Sequence, residues 1–147
     1  LIQYLGDGKQ VKALDIERVC VKSVKTRIFD LTDAIAVKDF VSALKILNDM
    51  VMMKEPLPLI LFMIARQFRQ ILEMKLLMAE GMSTSEAASR MGATPYVAGK
   101  IARHTKVFSV DELKRAIEEC LMTDEAIKTG KMDGRIAAEL LITGLAK

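Results

Sequence analysis

The histidine and cysteine side chains that could bind zinc or act in catalysis are His104, Cys20 and Cys120. They are far apart in the chain, and a structural zinc site needs more ligands at shorter spacings. Ser-His-Asp catalysis would require His104 to act as an oriented base. His104 lies within the basic stretch 103–106, for which a solvated helix face is the simpler interpretation. The sequence therefore predicts no catalytic residue and no metal site, and an acid/base enzyme is the weakest hypothesis.

The Gly-Lys pairs at 8–9 and 130–131 could suggest a loop that binds phosphate. Neither has the G-x-x-x-x-G-K-[ST] spacing that places backbone amides around a nucleotide. The carboxylates fall mostly in the first turns of expected helices and on faces of mixed charge, where capping and solubility explain them. We therefore expect no bound cofactor.

The composition favours helices that pack together. The chain has 147 residues, of which 51% are hydrophobic and only 5% aromatic, with ten Met and no Trp. Leu, Ile, Met and Ala favour helices over sheets. The net charge of +3 does not by itself imply nucleic acid. Cys20 and Cys120 lie in apolar helical patterns, so we expect reduced core thiols and a cytoplasmic protein.

Periodicity and capping residues predict an all-α chain. Residues 1–5 resemble the last turn of a helix, so we expect a piece of a longer protein. A polar connection is expected at 23–27 and a junction between two packed units at 36–39. The expected helices cover 14–20, 28–35, 39–54, 57–80, 83–91, 94–107, 109–129 and 133–145. In the helix 39–54, the expected buried stripe is Phe40, Leu44, Leu47 and Val51.

The longest helix, 57–80, should be the axis of the domain. Its first two turns are apolar on every side, so we expect other helices to surround them. Its later turns carry a polar stripe that should be exposed or face another subunit. The residues of that stripe are Arg66, Gln67, Arg69, Gln70 and Glu73. The apolar run is too short, and too often interrupted by charge, to span a membrane.

Residues Ser83–Lys106 imitate a helix-turn-helix, the motif with which many proteins read DNA. A recognition helix reads bases with its first turns, and here those are Pro95 to Gly99, with few groups that can hydrogen-bond a base edge. A helical pair packed in a bundle is the competing interpretation. Lys100, Arg103 and Lys106 could still contact phosphate without reading sequence.

A second basic segment, 128–135, surrounds the tight turn before the last helix. Lys128 could simply favour the end of one helix, and Asp133 could cap the next. Alternatively, Lys128, Lys131 and Arg135 form a basic tip that contacts phosphate or a neighbouring subunit. The sequence leaves both interpretations open.

Three segments, in this order, resemble the delta subunit of the bacterial DNA polymerase III clamp loader. They are Ile-Phe-Asp-Leu-Thr-Asp-Ala-Ile at 28–35, Ala-Arg-Gln-Phe-Arg-Gln-Ile-Leu at 65–72, and a third marker in pieces at 108–113, 124–130, 133–135 and 139–141. Each piece is weak alone, but the order and spacing are fairly specific. The resemblance covers nearly the whole chain.

The resemblance implies an architecture and a role. Delta is similar to AAA+ proteins, so residues 1–38 would be the end of the helical lid domain and residues 39–147 the helical collar. In this family, the collars of the loader subunits pack into a ring. The implied partners are delta-prime and gamma/tau through the collar, the sliding clamp through an N-terminal domain, and DNA without sequence preference. The expected role is a non-catalytic assembly region of the DNA polymerase III holoenzyme. The alternative is a helix-turn-helix module at Ser83–Lys106.

Overall fold

The computed structural model describes residues 24–146, and its regular structure is entirely helical, as predicted. Within that range no helix has the length and apolar character needed to cross a membrane. The helices are α1 (24–36), α2 (Phe40–Met52), α3 (Leu57–Ala79), α4 (Thr84–Met91), α5 (Pro95–Thr105), α6 (Val110–Lys128) and α7 (Gly134–Leu145). The helix expected at 14–20 lies outside the described residues.

Helix α3 is the axis of the bundle, as predicted from its composition. It packs against α4, α5, α6 and α7. Its side chains Ile60, Ile64, Phe68, Ile71 and Met74 are almost completely buried. These positions repeat every three or four residues and form the stripe that an amphipathic helix turns toward a core. The core is therefore continuous along α3, a helix about 34 Å long.

The helix starts follow the capping residues of the sequence. The side chains of Asp39, Ser83, Thr94, Ser109 and Asp133 each accept a hydrogen bond from the backbone N–H three residues later. A complete capping box forms at Ser109, because the Glu112 side chain also accepts a hydrogen bond from the Ser109 backbone N–H. Such bonds satisfy amides that a helix start leaves unpaired.

The cap of α2 is also an electrostatic feature. Asp39 accepts hydrogen bonds from both the backbone N–H and the hydroxyl of Ser42. Because these bonds stabilise the carboxylate, they lower the pKa of Asp39 below its usual value. The cap is therefore strongest when the carboxyl is ionised.

Glycine ends three of the helices, and lysine ends two. Gly81, Gly92 and Gly130 have positive φ after α3, α4 and α6, as expected for helix terminators. Lys38 and Lys54 have φ of 62° after α1 and α2. Such angles are unfavourable for a residue with a Cβ, so these two turns are held by the surrounding structure.

Two local predictions were wrong. The segment 24–27, expected to be a polar connection, is part of α1, and Val24 is buried in the core. In α2, Phe40 is half exposed, and the buried residues are Ala43, Leu47 and Met50. Leu47 is buried as expected, and Leu44 and Val51 are partly buried against the core, so the buried face of α2 overlaps the expected stripe but is rotated toward Ala43 and Met50.

Helix α1 shares the core of the later helices. Its side chains Ile28, Leu31 and Ile35 are almost completely buried in the same hydrophobic cluster as Phe68 and Leu113. Phe29, on the same helix, is buried as well. The junction expected at 36–39 coincides with the turn between α1 and α2. The division of the chain into domains at residue 38 stays a prediction.

Candidate functional site

His104 is not on a solvated helix face, so that prediction was wrong. Its side chain is buried at the end of α5, and its Nε2 lies 2.5 Å from Oδ1 of Asp33 on α1. Its Nδ1 is also buried and has no hydrogen-bond partner among the described residues. The pair links two helices that are 71 residues apart in sequence. His104 thus joins α5 to α1.

Gln67 does not lie on the exposed polar stripe of α3. It is 4% exposed, and its Nε2 has no hydrogen-bond partner among the described residues. The rest of the stripe follows the prediction more closely, since Arg69 and Glu73 are exposed and Arg66 is partly exposed. A buried amide nitrogen without a partner is destabilising, because its hydrogen bonds to water are lost without replacement.

Cys120 is a core thiol, as predicted. It is buried in α6, and burial, as the main cause, raises the pKa of the thiol to about 12. The thiolate is the reactive form of cysteine, so this side chain is poorly suited to nucleophilic chemistry. Within residues 24–146, no group of three or more His, Cys, Asp or Glu side chains is placed to hold a metal ion. Cys20 lies outside the described part of the chain.

The basic residues of α5 have different surroundings. The Lys100 ammonium lies 4.9 Å from the ring centre of Phe29 and 4.8 Å from that of Tyr96. These aromatic faces attract the ammonium, so Lys100 is partly engaged within the domain. Arg103 and Lys106 are exposed, and the described residues place no carboxylate within 4.0 Å of either.

Two of the three basic residues at the turn between α6 and α7 are paired with side chains of the helices around it. The Lys128 ammonium lies 2.7 Å from the Asp124 carboxylate. Arg135 is 3.4 Å from Glu139 and donates a hydrogen bond to the side chain of Asn48. Lys131 is exposed, with no ion pair among the described residues. The capping interpretation is confirmed for Asp133, which caps α7.

The basic residues of α5 lie far from those of the turn between α6 and α7. Gly134, at the start of α7, is packed so closely on Leu57 that an added Cβ would lie 2.7 Å from the leucine side chain. At the other end of α3, the Lys75 ammonium donates a hydrogen bond to the Thr105 carbonyl. Eighteen residues of α3, or about 27 Å, separate Leu57 from Lys75. The two basic groups therefore lie near opposite ends of α3.

An apolar groove between α3 and α6 is the feature that sequence reasoning missed. Phe62 on α3 is 55% exposed and Leu121 on α6 is 59% exposed, although the first turns of α3 were expected to be surrounded. We call this surface the α3–α6 groove, and its lining is Pro58, Leu61, Phe62, Ala65, Arg69, Cys120, Leu121, Asp124 and Lys128. The adjacent run of apolar residues at 120–122 was a signal, because one helix face cannot bury all of them.

Comparison with known proteins identifies the family. The family model described as "DNA polymerase III delta subunit, C-terminal domain" matches residues 25–145. The chain is 28% identical over 147 residues to the DNA polymerase III subunit delta of Bacillus subtilis, covering the whole chain and 42% of that protein. The solved structure of the Bacillus subtilis DNA clamp loader delta protein matches with a TM-score of 0.78 and 28% identity, over 84% of this chain and 36% of that one. The chain thus spans less than half the length of either relative.

The helix-turn-helix interpretation of Ser83–Lys106 was wrong. The segment lies inside the domain that the family model matches, rather than forming a module of its own. Both α4 and α5 pack on α3, and Ala98, Ile101 and Thr105 of α5 are buried. The chain belongs to the DNA polymerase III delta subunit family, of which residues 25–145 are the C-terminal domain.

Proposed function

We propose that this chain is an assembly region of the clamp-loader delta subunit, which loads the sliding clamp onto DNA during replication. The observation that carries the proposal is the match of nearly the whole chain, in sequence and in fold, to the delta subunit of a clamp loader. A non-catalytic role is supported by the sparse chemistry of the sequence, with one histidine and two distant cysteines. Polymerase activity would belong to the assembled holoenzyme and not to this chain by itself.

The proposed partners are delta-prime and gamma/tau, which would bind the collar. Several large apolar side chains exposed on this domain support such contacts, because apolar surface of this kind is common at protein interfaces. The sliding clamp would be bound by an N-terminal domain of the full subunit. A protein of bacterial DNA replication would act in the cytoplasm.

We infer that contact of this chain with DNA is independent of sequence. Arg103, Lys106 and Lys131 are the best placed of the predicted basic residues, because they are exposed and lack ion pairs among the described residues. Lys128 and Arg135 already have carboxylate partners, and Lys100 lies against aromatic rings. Each of these residues could equally contact a neighbouring subunit.

The boundary between lid and collar is also a proposal. The turn at 37–39 supports a boundary after residue 38. Two observations support a boundary further upstream, namely the burial of α1 in the shared core and a family match that begins at residue 25. We infer that α1 belongs with the collar.

Assembly can be tested by size-exclusion chromatography of the chain mixed with purified delta-prime and gamma/tau from the same organism. We expect co-elution in a complex larger than any single subunit. Circular dichroism should first show that the chain is helical and folded. If the folded chain elutes alone at micromolar concentrations of each partner, the proposed function is wrong.

A further inference from the structure

One side of α5 carries an exposed aromatic ring followed by basic side chains. Tyr96 is 72% exposed, and Arg103 and Lys106 are exposed as well. Positions 96 and 103 are seven residues apart, so they lie on the same side of the helix, about 10 Å from each other. Between residues 87 and 110 the chain has no acidic residue. We call Tyr96, Lys100, Arg103 and Lys106 the α5 stripe.

The Tyr96 ring is held on one face by Lys100. The Lys100 ammonium lies 4.8 Å from the ring centre of Tyr96 and 4.9 Å from that of Phe29, which is buried in α1. Attraction to both rings restricts the lysine and, through it, the exposed tyrosine. An added Cβ at Gly99, which neighbours Tyr96 on the helix surface, would meet nothing within 4 Å. The surface beside the ring is therefore open, and the second face of the ring is accessible.

We propose that the α5 stripe binds single-stranded nucleic acid, with an unpaired base stacked on the free face of Tyr96 and phosphates on Arg103 and Lys106. The inference rests on the proposed contact with DNA and names its form. Aromatic rings beside a positively charged surface bind single strands in many proteins without reading their sequence. Stacked nucleotides advance 3.4 Å each, so the distance from Tyr96 to Arg103 corresponds to about three nucleotides.

A single strand fits the α5 stripe better than a duplex. Stacking on Tyr96 requires a base with a free face, and inside a duplex both faces of each base are covered by its neighbours. The first turn of α5 also offers few groups that could hydrogen-bond base edges in a groove, because it contains Pro95, Val97 and Ala98. Bases of a single strand can turn outward and stack on an aromatic side chain.

Stacking can be observed directly, because the chain contains no Trp. Tyr96→Trp introduces a single indole at the stacking position and keeps a flat ring. Titration with a short oligothymidylate should quench the indole emission, since the stacked base contacts the ring. An abasic oligomer of the same length and inorganic polyphosphate supply phosphates without bases, and should leave the emission nearly unchanged. Oligouridylate shows whether RNA binds at the same place, and the tighter of the two strands identifies the preferred nucleic acid.

Variants separate the stacking from the charge. Dissociation constants for oligothymidylate are measured by titration calorimetry at several salt concentrations. Tyr96→Ala should weaken binding at least about fivefold with an unchanged salt dependence, whereas Tyr96→Phe should stay within about twofold of wild type. Arg103→Ala should reduce the slope of log affinity against log salt by about 0.7, the contribution of one phosphate contact with a single strand.

Phe40→Ala and Arg115→Ala are the matched controls. They remove an exposed aromatic ring from α2 and an exposed guanidinium from α6, outside the α5 stripe. Both should leave the affinity and its salt dependence unchanged. Circular dichroism must show that every variant is folded. Tyr96→Leu, which keeps an apolar side chain without a flat ring, replaces Tyr96→Ala if the alanine variant melts early.

Four results would overturn the inference. These are a wild-type chain that does not bind oligothymidylate at low salt, a duplex of the same length that binds as tightly as the single strand, a polyglutamate peptide of the same charge that binds as tightly as the oligomer, and a Tyr96→Ala variant that binds as well as wild type. None of them affects assembly with delta-prime and gamma/tau, which is tested separately by co-elution.

Discussion

The contact between His104 and Asp33 shows how much a single side chain depends on its tertiary surroundings. In the sequence, His104 stands between Arg103 and Thr105 in a basic stretch, which favours an exposed position. In the structure it is buried and bonded to a residue of α1. No local pattern connects positions 33 and 104, because the contact exists only after α1 and α5 pack together.

Replacing Asp33 should therefore destabilise the domain. In Asp33→Ala, neither ring nitrogen of buried His104 would retain a partner among the described residues. We expect the free energy of unfolding to fall by about 1–3 kcal/mol, the usual effect of leaving a buried polar group unpaired. Urea denaturation followed by circular dichroism measures it. Asp30→Ala, an exposed change on the same helix, should change stability by less than about 0.5 kcal/mol. Equal effects would show that the buried pair contributes nothing.

At the scale of elements, the end of α2 shows a backbone conformation that is unusual for a lysine. After α2, the Lys54 amide donates to the Val51 carbonyl and the Glu55 amide donates to the Met50 carbonyl. This pair of bonds is the Schellman motif, in which the residue with positive φ is usually glycine. Lys54 adopts that conformation despite its Cβ, so the turn stores unfavourable backbone energy.

Lys54→Gly should relieve that strain. Removing the Cβ gains about 1–2 kcal/mol in the turn, and the greater freedom of glycine in the unfolded chain offsets about 0.5–1 kcal/mol of it. We expect a net rise in the free energy of unfolding of up to about 1.5 kcal/mol, visible as a higher melting temperature. Lys45→Gly, exposed within α2, serves as the opposite control and should lower stability by about 1 kcal/mol. A loss in both variants would contradict the interpretation of Lys54.

At the scale of the whole molecule, α1 is the part whose assignment matters most. Val24, Ile28, Phe29, Leu31 and Ile35 of α1 are all buried. Burying each such side chain contributes about 1.5–3 kcal/mol. Together they approach the net stability of a whole domain, about 5–15 kcal/mol.

A chain that begins at residue 39 should therefore fail to fold cooperatively, whereas one that begins at residue 24 should remain folded. Both are compared with the complete chain by calorimetry and by near-ultraviolet circular dichroism. A cooperative transition for 39–147 close to that of the complete chain would favour the boundary at residue 38 instead.

The sequence alone determined most of the helices between residues 28 and 145, and it indicated the family. Capping bonds such as that of Ser109 join residues three positions apart, and terminators such as Gly92 act on their own turn, so both can be read along the chain. The three ordered markers indicated the delta subunit, and the family comparison confirms it. Only the tertiary structure decided which helix faces meet. It buried His104 and Gln67, and it left Phe62 and Leu121 exposed beside each other. The burial of a side chain depends on neighbours that are distant in sequence, and spacing within one helix does not contain that information.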